Sequence, residues 1–268
     1  MRKKIRLMLV ASIITLSSCQ KDKVFTTEDF QKNANENPFA LVGKAHNDFL
    51  MDLGNEFQSV LNNEKQLDSV EAETLIGDFL KYSENKLEGY ALPNNESFDG
   101  FFNEAYITYC NYFEELEEDE VMESLLEEST DMESLLTNVR NKEADIISNM
   151  KTHEDSVSLL SLTIFENSLM FWDDAYTNSK NPWHNIMQSM QEQFDSKGSL
   201  SLLIKISKWY KAHKKQLQNA AVSGGVFDYL AAEAIVKYFP AVLSQPWILA
   251  TVLGLSSAVG VIAGWFGA

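Results

Sequence analysis

The sequence predicts an all-α protein, an irregular multi-helix bundle that ends in a hydrophobic helical hairpin. Apolar side chains recur every three to four residues along most of the chain, which is the period of an amphipathic helix. Alternating patterns typical of strands are nearly absent. The stretch 156–176 is apolar almost all round, and the final stretch, 247–268, carries no charge. Helices of this kind lie in the middle of a bundle or in a membrane.

The amino-acid composition excludes several classes of protein. The chain has 268 residues, with 39 acidic and 22 basic side chains and a formal net charge of −17. An apolar content of 45% is ordinary for a globular protein and excludes a mostly disordered chain. The acidic excess repels phosphates, so no nucleic-acid partner is expected. The two cysteines are too few for a disulfide framework.

The N-terminus has the pattern of a secretory signal peptide over residues 1–18. Four basic residues precede an apolar run, 7–16, which is too short to span a bilayer. The motif Leu16-Ser17-Ser18-Cys19 resembles the lipobox of bacterial lipoproteins. That resemblance implies that Cys19 is the lipidated first residue of the mature chain and holds it to a membrane. The alternative is a plain signal peptide followed by an incidental cysteine.

Residues 19–38 are polar and asparagine-rich, which predicts a solvated tether between the lipid and the folded part. The run Cys19-Gln20-Lys21-Asp22-Lys23 resembles the surface-export tag of Bacteroidota-type lipoproteins, although Lys23 stands where a second acid is usual. This favours export to the outer membrane or cell surface over the inner membrane.

The first helices follow the tether. They are predicted over 41–62, 70–86 and 98–117. The stretch 120–150 keeps one apolar face, so it is either one long helix or two, the second capped by Thr130 with Glu133 at its third position. With the segments that follow, as far as residue 222, these helices make up a predicted bundle over 39–222.

The second half continues in the same way. Helices are predicted over 156–176, 183–194, 200–221, 226–239 and 247–266. Gly224-Gly225 is expected to break the chain before the last two, which form a hydrophobic hairpin over 223–268.

The helix predicted at 200–221 is basic on one face. Its polar side carries Lys205, Lys208, Lys211 and Lys215. Three interpretations remain open for it: an ordinary surface helix, docking on the acidic stretch 114–133, or a helix that lies on a membrane surface.

The C-terminal segment, 247–268, has no charge and the length expected of a transmembrane helix, so a membrane span is one prediction for it. Small residues fall at every fourth position, a pattern that lets two helices approach closely. These are Ser256, Gly260, Gly264 and Ala268. An outer-membrane lipoprotein should not carry such a spanning helix, so burial in the bundle is favoured over bilayer contact by 247–266.

Motifs that carry chemistry are missing. The sequence contains no nucleotide-binding glycine loop, zinc-protease motif or nucleophile elbow, and the histidines lack metal-ligand spacing. No catalytic residue, cofactor or metal is therefore expected. Two Asp-Ser-Val triplets resemble O-glycan acceptor motifs at Ser69 and Ser156, but helix capping by the same side chains is favoured.

The plan as a whole resembles uncharacterised Bacteroidota-type lipoproteins with a small-residue-rich, glycine-zipper-like C-terminus. The residues that carry this resemblance are the lipobox, the run 42–47, Phe171-Trp172 and the C-terminal segment. It implies a non-enzymatic, lipid-anchored interaction module of the cell envelope with an unknown protein partner. A weaker likeness is to pore-forming toxins, in which soluble helices shield a hydrophobic hairpin that later enters a bilayer. An enzyme of unrecognised class is the third expectation.

Overall fold

The computed structural model describes residues 37–61, 69–88, 90, 97–115, 119–197 and 220–266. These ranges form ten α-helices and one 3-10 helix without a strand, which confirms the all-α prediction. The helices are α1 (Ala40–Glu56), α2 (Gln58–Leu61), α3 (Ser69–Lys86), α4 (Phe98–Glu115), α5 (Glu120–Glu127), α6 (Met132–Asn149), α7 (His153–Thr177), α8 (His184–Lys197), α9 (Ala220–Tyr238) and α10 (Pro246–Phe266).

Side-chain caps set the helix boundaries in the middle of the chain. Asp131 accepts from the backbone N–H of Ser134, whose hydroxyl accepts from the N–H of Asp131, so a capping box starts α6. The stretch 120–150 is therefore two helices, and the cap lies one residue beyond the predicted Thr130. Thr152 and Asp155 make the same reciprocal box at the start of α7.

Three helices make the centre of the bundle. α7 packs against α9, α1 and α6, and α10 packs against α1, α9 and α3. Most side chains of α9 and nearly all those of 248–262 in α10 are buried, so neither helix has an exposed polar face. α3, α4, α6 and α8 lie around this centre. The C-terminal hairpin is thus the inside of the bundle rather than an appendage.

The prediction that Gly224-Gly225 breaks the chain is wrong. Both glycines lie inside α9, which starts at Ala220 and runs through the expected boundary at 222/223. An added Cβ at Gly224 would lie 2.6 Å from Cδ1 of Trp172, and one at Gly225 would lie 2.8 Å from Cδ2 of Leu169. The missing side chains therefore let α9 approach α7 closely, and this outweighs the low helix propensity of glycine.

Candidate functional site

The hairpin carries one fully buried charged side chain. Asp228 lies in the middle of α9 with no exposed surface, among apolar neighbours on the same helix. Burying a carboxyl group in apolar surroundings is costly unless other groups hydrogen-bond to it. The contacts of Asp228 are therefore the first place to look for a functional arrangement.

Four side chains from three other helices converge on Oδ2 of Asp228. The hydroxyl of Ser168 on α7 donates to it, and so does that of Ser257 on α10, at 2.9 Å. The indole Nε1 of Trp172, also on α7, donates at 3.4 Å. The fourth group is His46 on α1, whose Nε2 lies 3.5 Å away. We call Asp228 and these four side chains the Asp228 centre. Its five residues come from α1, α7, α9 and α10.

A second chain of hydrogen bonds fixes the histidine. The amide nitrogen of Asn47 donates to the carbonyl of Asn167 at 2.8 Å, which turns Oδ1 of Asn47 towards Nδ1 of His46, 2.9 Å away. An amide oxygen only accepts, so Nδ1 of His46 carries a hydrogen.

Burial and hydrogen bonding act on the pKa of Asp228 in opposite directions, and burial prevails. Burial raises the pKa of the Asp228 carboxyl, while His46, the two hydroxyls and the indole act against that rise because they favour the carboxylate. Oδ1 of Asp228 and Nε2 of His46 make no hydrogen bond among the described residues. The hydrogen bonds to Oδ2 of Asp228 connect α9 to α7 and α10, and His46 on α1 lies 3.5 Å from the same oxygen.

The Asp228 centre has no opening to solvent. His46 and Ser168 are as fully buried as Asp228 itself, and Ser257 is 1% exposed. A histidine, a carboxylate and a serine hydroxyl are the groups of a nucleophilic triad, but a substrate could not reach them here. The arrangement instead stabilises the fold, because its polar contacts connect the hairpin to α1 and α7.

A second buried carboxyl group lies where the predicted tether meets the bundle. Glu143 on α6 accepts from the hydroxyl of Thr163 at 2.8 Å, and the amide of Asn37 donates to that hydroxyl at 2.8 Å and to Glu143 at 3.4 Å. Burial raises the pKa of Glu143 to about 7. Asn37, which precedes α1, is thereby connected to α6 and α7.

The surface offers a shallow acidic groove. A cavity of about 510 Å³ lies between α5 and α6, and its charged lining consists of Glu120, Glu128, Lys142 and Asp145. In the described part of the chain, no three or more histidine, cysteine or carboxylate side chains are grouped so that they could hold a metal ion. None of the polar side chains that line the groove is buried, whereas those of the Asp228 centre are.

Several residues singled out from the sequence fall outside the described ranges. Cys19, Ala268 and the four lysines at 205, 208, 211 and 215 are among them. Ser69 starts α3 and Gly264 belongs to α10, but their surroundings are not described either. The predictions of lipidation and of a basic helix face thus remain predictions.

The other predicted residues can be located. Ser256 is buried and donates to the carbonyl of Val252, within its own helix. Gly260 faces α9, since a Cβ there would lie 2.7 Å from Cζ of Phe227. Ser156 lies in the first turn of α7, where its hydroxyl donates to the carbonyl of Thr152 at 3.3 Å, and the capping groups are Thr152 and Asp155.

Sequence reasoning did not find the Asp228 centre. The sequence shows Asp228 as one of three charges in a largely apolar arm, beside Glu233 and Lys237, and His46 as part of the run 42–47. A carboxyl group that is buried in such a helix needs a polar partner, and that requirement is the available indication. Its partners lie between 29 positions away, for Ser257, and 182 positions away, for His46, and no local pattern connects them.

The fold and the centre define an all-α bundle with a C-terminal hairpin as its core, fastened by a buried polar centre. No family model matches the chain, and neither a curated protein nor a solved structure matches it. Within the described ranges, none of the helices combines the length and the apolar character needed to cross a bilayer.

Proposed function

We propose that the protein is a non-enzymatic, lipid-anchored helical protein of the bacterial cell envelope that presents its bundle to a protein partner. The order of features along the chain carries this proposal. A lipobox-like motif ends at Cys19, a polar stretch follows, and Asn37 is then fastened to Thr163 and Glu143. Such an order suits a domain held at a distance from a membrane. The net charge of −17 favours a partner with a basic surface.

Lipidation tests the anchor directly. Cells that express the parent chain or the Cys19→Ala variant are given labelled palmitate. We expect incorporation into the parent and its loss in the variant, because the thiol of Cys19 is the proposed attachment point. Cys110→Ala is the matched control, since it removes the other cysteine and should leave incorporation unchanged. Undiminished labelling of the Cys19 variant would reject the proposed anchor, and surface labelling of intact cells would then place the protein.

A second candidate function is delivery of the C-terminal hairpin to a bilayer. The observation that favours it is the burial of α9 and α10 at the centre of the bundle, where the other helices shield their apolar surface. Asp228 and Glu233 on α9 oppose transfer into lipid, because a charged side chain at the bilayer centre is costly. Delivery would therefore require the Asp228 centre to open first.

Dye release from vesicles of anionic phospholipid tests this candidate. If the hairpin is delivered, the parent should release the dye, and His46→Leu should do so faster because it weakens the attachment of α9. Gly77→Ala is the control, because Gly77 is exposed and a Cβ there has nothing within 4 Å. Absence of both dye release and vesicle binding, for the parent and for His46→Leu, would reject delivery and leave the first proposal standing.

A further inference from the structure

A buried carboxyl group meets a threonine hydroxyl where α6 packs against α7. Glu143 on α6 is 7% exposed, and Thr163 on α7 is 1% exposed. Oγ1 of Thr163 lies 2.8 Å from Oε1 of Glu143 and also 2.8 Å from the carbonyl oxygen of Leu159. The amide nitrogen of Asn37 donates to the same Oγ1, again at 2.8 Å. Three polar atoms therefore surround one buried hydroxyl group.

The hydrogens available to these atoms depend on whether Glu143 carries a proton. A threonine hydroxyl donates one hydrogen bond and accepts two. When Glu143 is ionised, the single hydrogen of Thr163 serves either the carboxylate or the carbonyl of Leu159. When Glu143 is protonated, its own hydroxyl donates to Thr163, whose hydrogen is then free for Leu159. Asn37 supplies the second bond that Thr163 accepts. A proton on Glu143 thus gives each of the three contacts at 2.8 Å its own hydrogen.

The charged groups that face Glu143 do not replace this proton. Glu166 faces it from α7, and Arg140 from one turn earlier on α6. These two side chains form an ion pair with each other, and Arg140 is exposed to solvent. Asn37, which faces Glu143 from the segment before α1, is uncharged. Burial raises the pKa of Glu143 to about 7, because the groups that favour the carboxylate offset the burial only in part.

The segment 37–39 is the part of this cover that can open. Thr163 belongs to α7, which lies at the centre of the bundle, whereas residues 37–39 precede α1 and are half-buried. The backbone N–H of Phe39 donates to Oδ1 of Asn37 at 2.9 Å, so the segment is a local turn. The amide of Asn37 also reaches Oε1 of Glu143, at 3.4 Å. Moving Asn37 away uncovers this oxygen and leaves α6 and α7 in place.

We propose that Asn37, Thr163 and Glu143 form a proton-dependent clasp, which holds the segment 37–39 on α6 and α7 while Glu143 is protonated and releases it when Glu143 ionises. The clasp is independent of the proposed anchoring function, because its contacts lie between α6, α7 and the turn before α1. In the released state, water hydrates the carboxylate of Glu143, which the closed arrangement keeps almost dry. The release is confined to the turn before α1 and requires no movement of the core helices.

The direction of the pH dependence follows from the raised pKa of Glu143. A carboxyl group that titrates near pH 7 in the closed clasp and near its ordinary 4.5 in the open one stabilises the closed form fully below about pH 4.5. That stabilisation is lost as the pH rises through 7. The closing equilibrium is therefore expected to fall about ten-fold between pH 6 and pH 8.

Hydrogen exchange of the amides of Phe39 and Ala40 measures this equilibrium in the full chain, since both amides donate to Asn37. After correction for the intrinsic exchange rate, we expect their protection to fall about ten-fold from pH 6 to pH 8. Glu143→Gln cannot ionise, so the protection in this variant should change less than two-fold. Glu133→Gln is the matched control and should behave as the parent does, because Glu133 is an exposed carboxylate of α6 itself.

Carbon-13 NMR of the glutamate carboxyl groups measures the titration of Glu143 directly. The resonance that is lost in Glu143→Gln identifies this group in the parent spectrum. We expect its titration midpoint near pH 7, well above the ordinary 4.5 of a glutamate.

Three results would each overturn the clasp. The first is equal protection of the two amides in the parent at both pH values, a measurement that needs no variant. The second is an unchanged pH dependence in Glu143→Gln, and the third is a midpoint of Glu143 near 4.5. A parallel loss of protection in α3 would also count against the clasp, since that would show general unfolding rather than release of the segment 37–39.

Discussion

His46→Leu is expected to lower the free energy of unfolding by about 3–5 kcal/mol at pH 8, because it removes the polar partner that favours the buried carboxylate of Asp228. His46 and Asp228 have no exposed surface, so solvent cannot replace the lost partner. The loss should be smaller at pH 5, where Asp228 can take up a proton instead. Removing His46 raises the pKa of Asp228 further, and the protonated form stabilises the fold at low pH and is lost as the pH rises. Urea unfolding at the two pH values measures both effects.

A double variant separates charge from packing. His46→Leu combined with Asp228→Asn removes the unpaired charge while keeping an amide oxygen that can accept from Ser168 and Ser257. We expect the double variant to regain more than half of the stability lost in His46→Leu, and to show no difference between pH 5 and pH 8. A single variant within about 1 kcal/mol of the parent at pH 8 would show that the Asp228 centre does not fasten the hairpin.

The second large effect concerns two glycines that both lie inside helices, Gly224 in α9 and Gly77 in α3. Gly224→Ala should lower the free energy of unfolding by about 1–3 kcal/mol, because the new methyl group meets the buried ring of Trp172. Gly77→Ala should raise it by about 0.5–1 kcal/mol, because alanine is the better helix former and the position is open. Thermal unfolding of the two variants and the parent measures the difference. Equal changes of the same sign would contradict the close approach of α9 and α7.

The fold was largely predictable from local patterns. Helical periodicity located α3, α4, α6 and α7 within a few residues, since amphipathic faces and capping residues are short-range properties. The prediction at Gly224-Gly225 is wrong because glycine occurs both at chain breaks and where two backbones approach closely. The neighbour that decides between the two is Trp172, which is about fifty positions away and lies beside these glycines only in the folded bundle.

The site was much less predictable. Long-range contacts bring His46, Ser168 and Ser257 to Asp228, and no spacing in the sequence encodes them. A buried carboxyl group is recognised by what surrounds it, and the surroundings come from other helices. The charge pattern could indicate which segments are acidic, but not which acids lose their contact with water.

Hydrogen exchange along α10 tests the central claim that the C-terminal hairpin is the fastened core of the folded protein. If the claim is right, amides of 248–262 exchange only through global unfolding, so their opening free energy equals the one measured by urea. Amides on the outer helix α6 should open at a lower free energy. Exchange of 248–262 that is as fast as that of α6 would contradict the account, because a hairpin at the centre of the bundle cannot open before the helices that cover it.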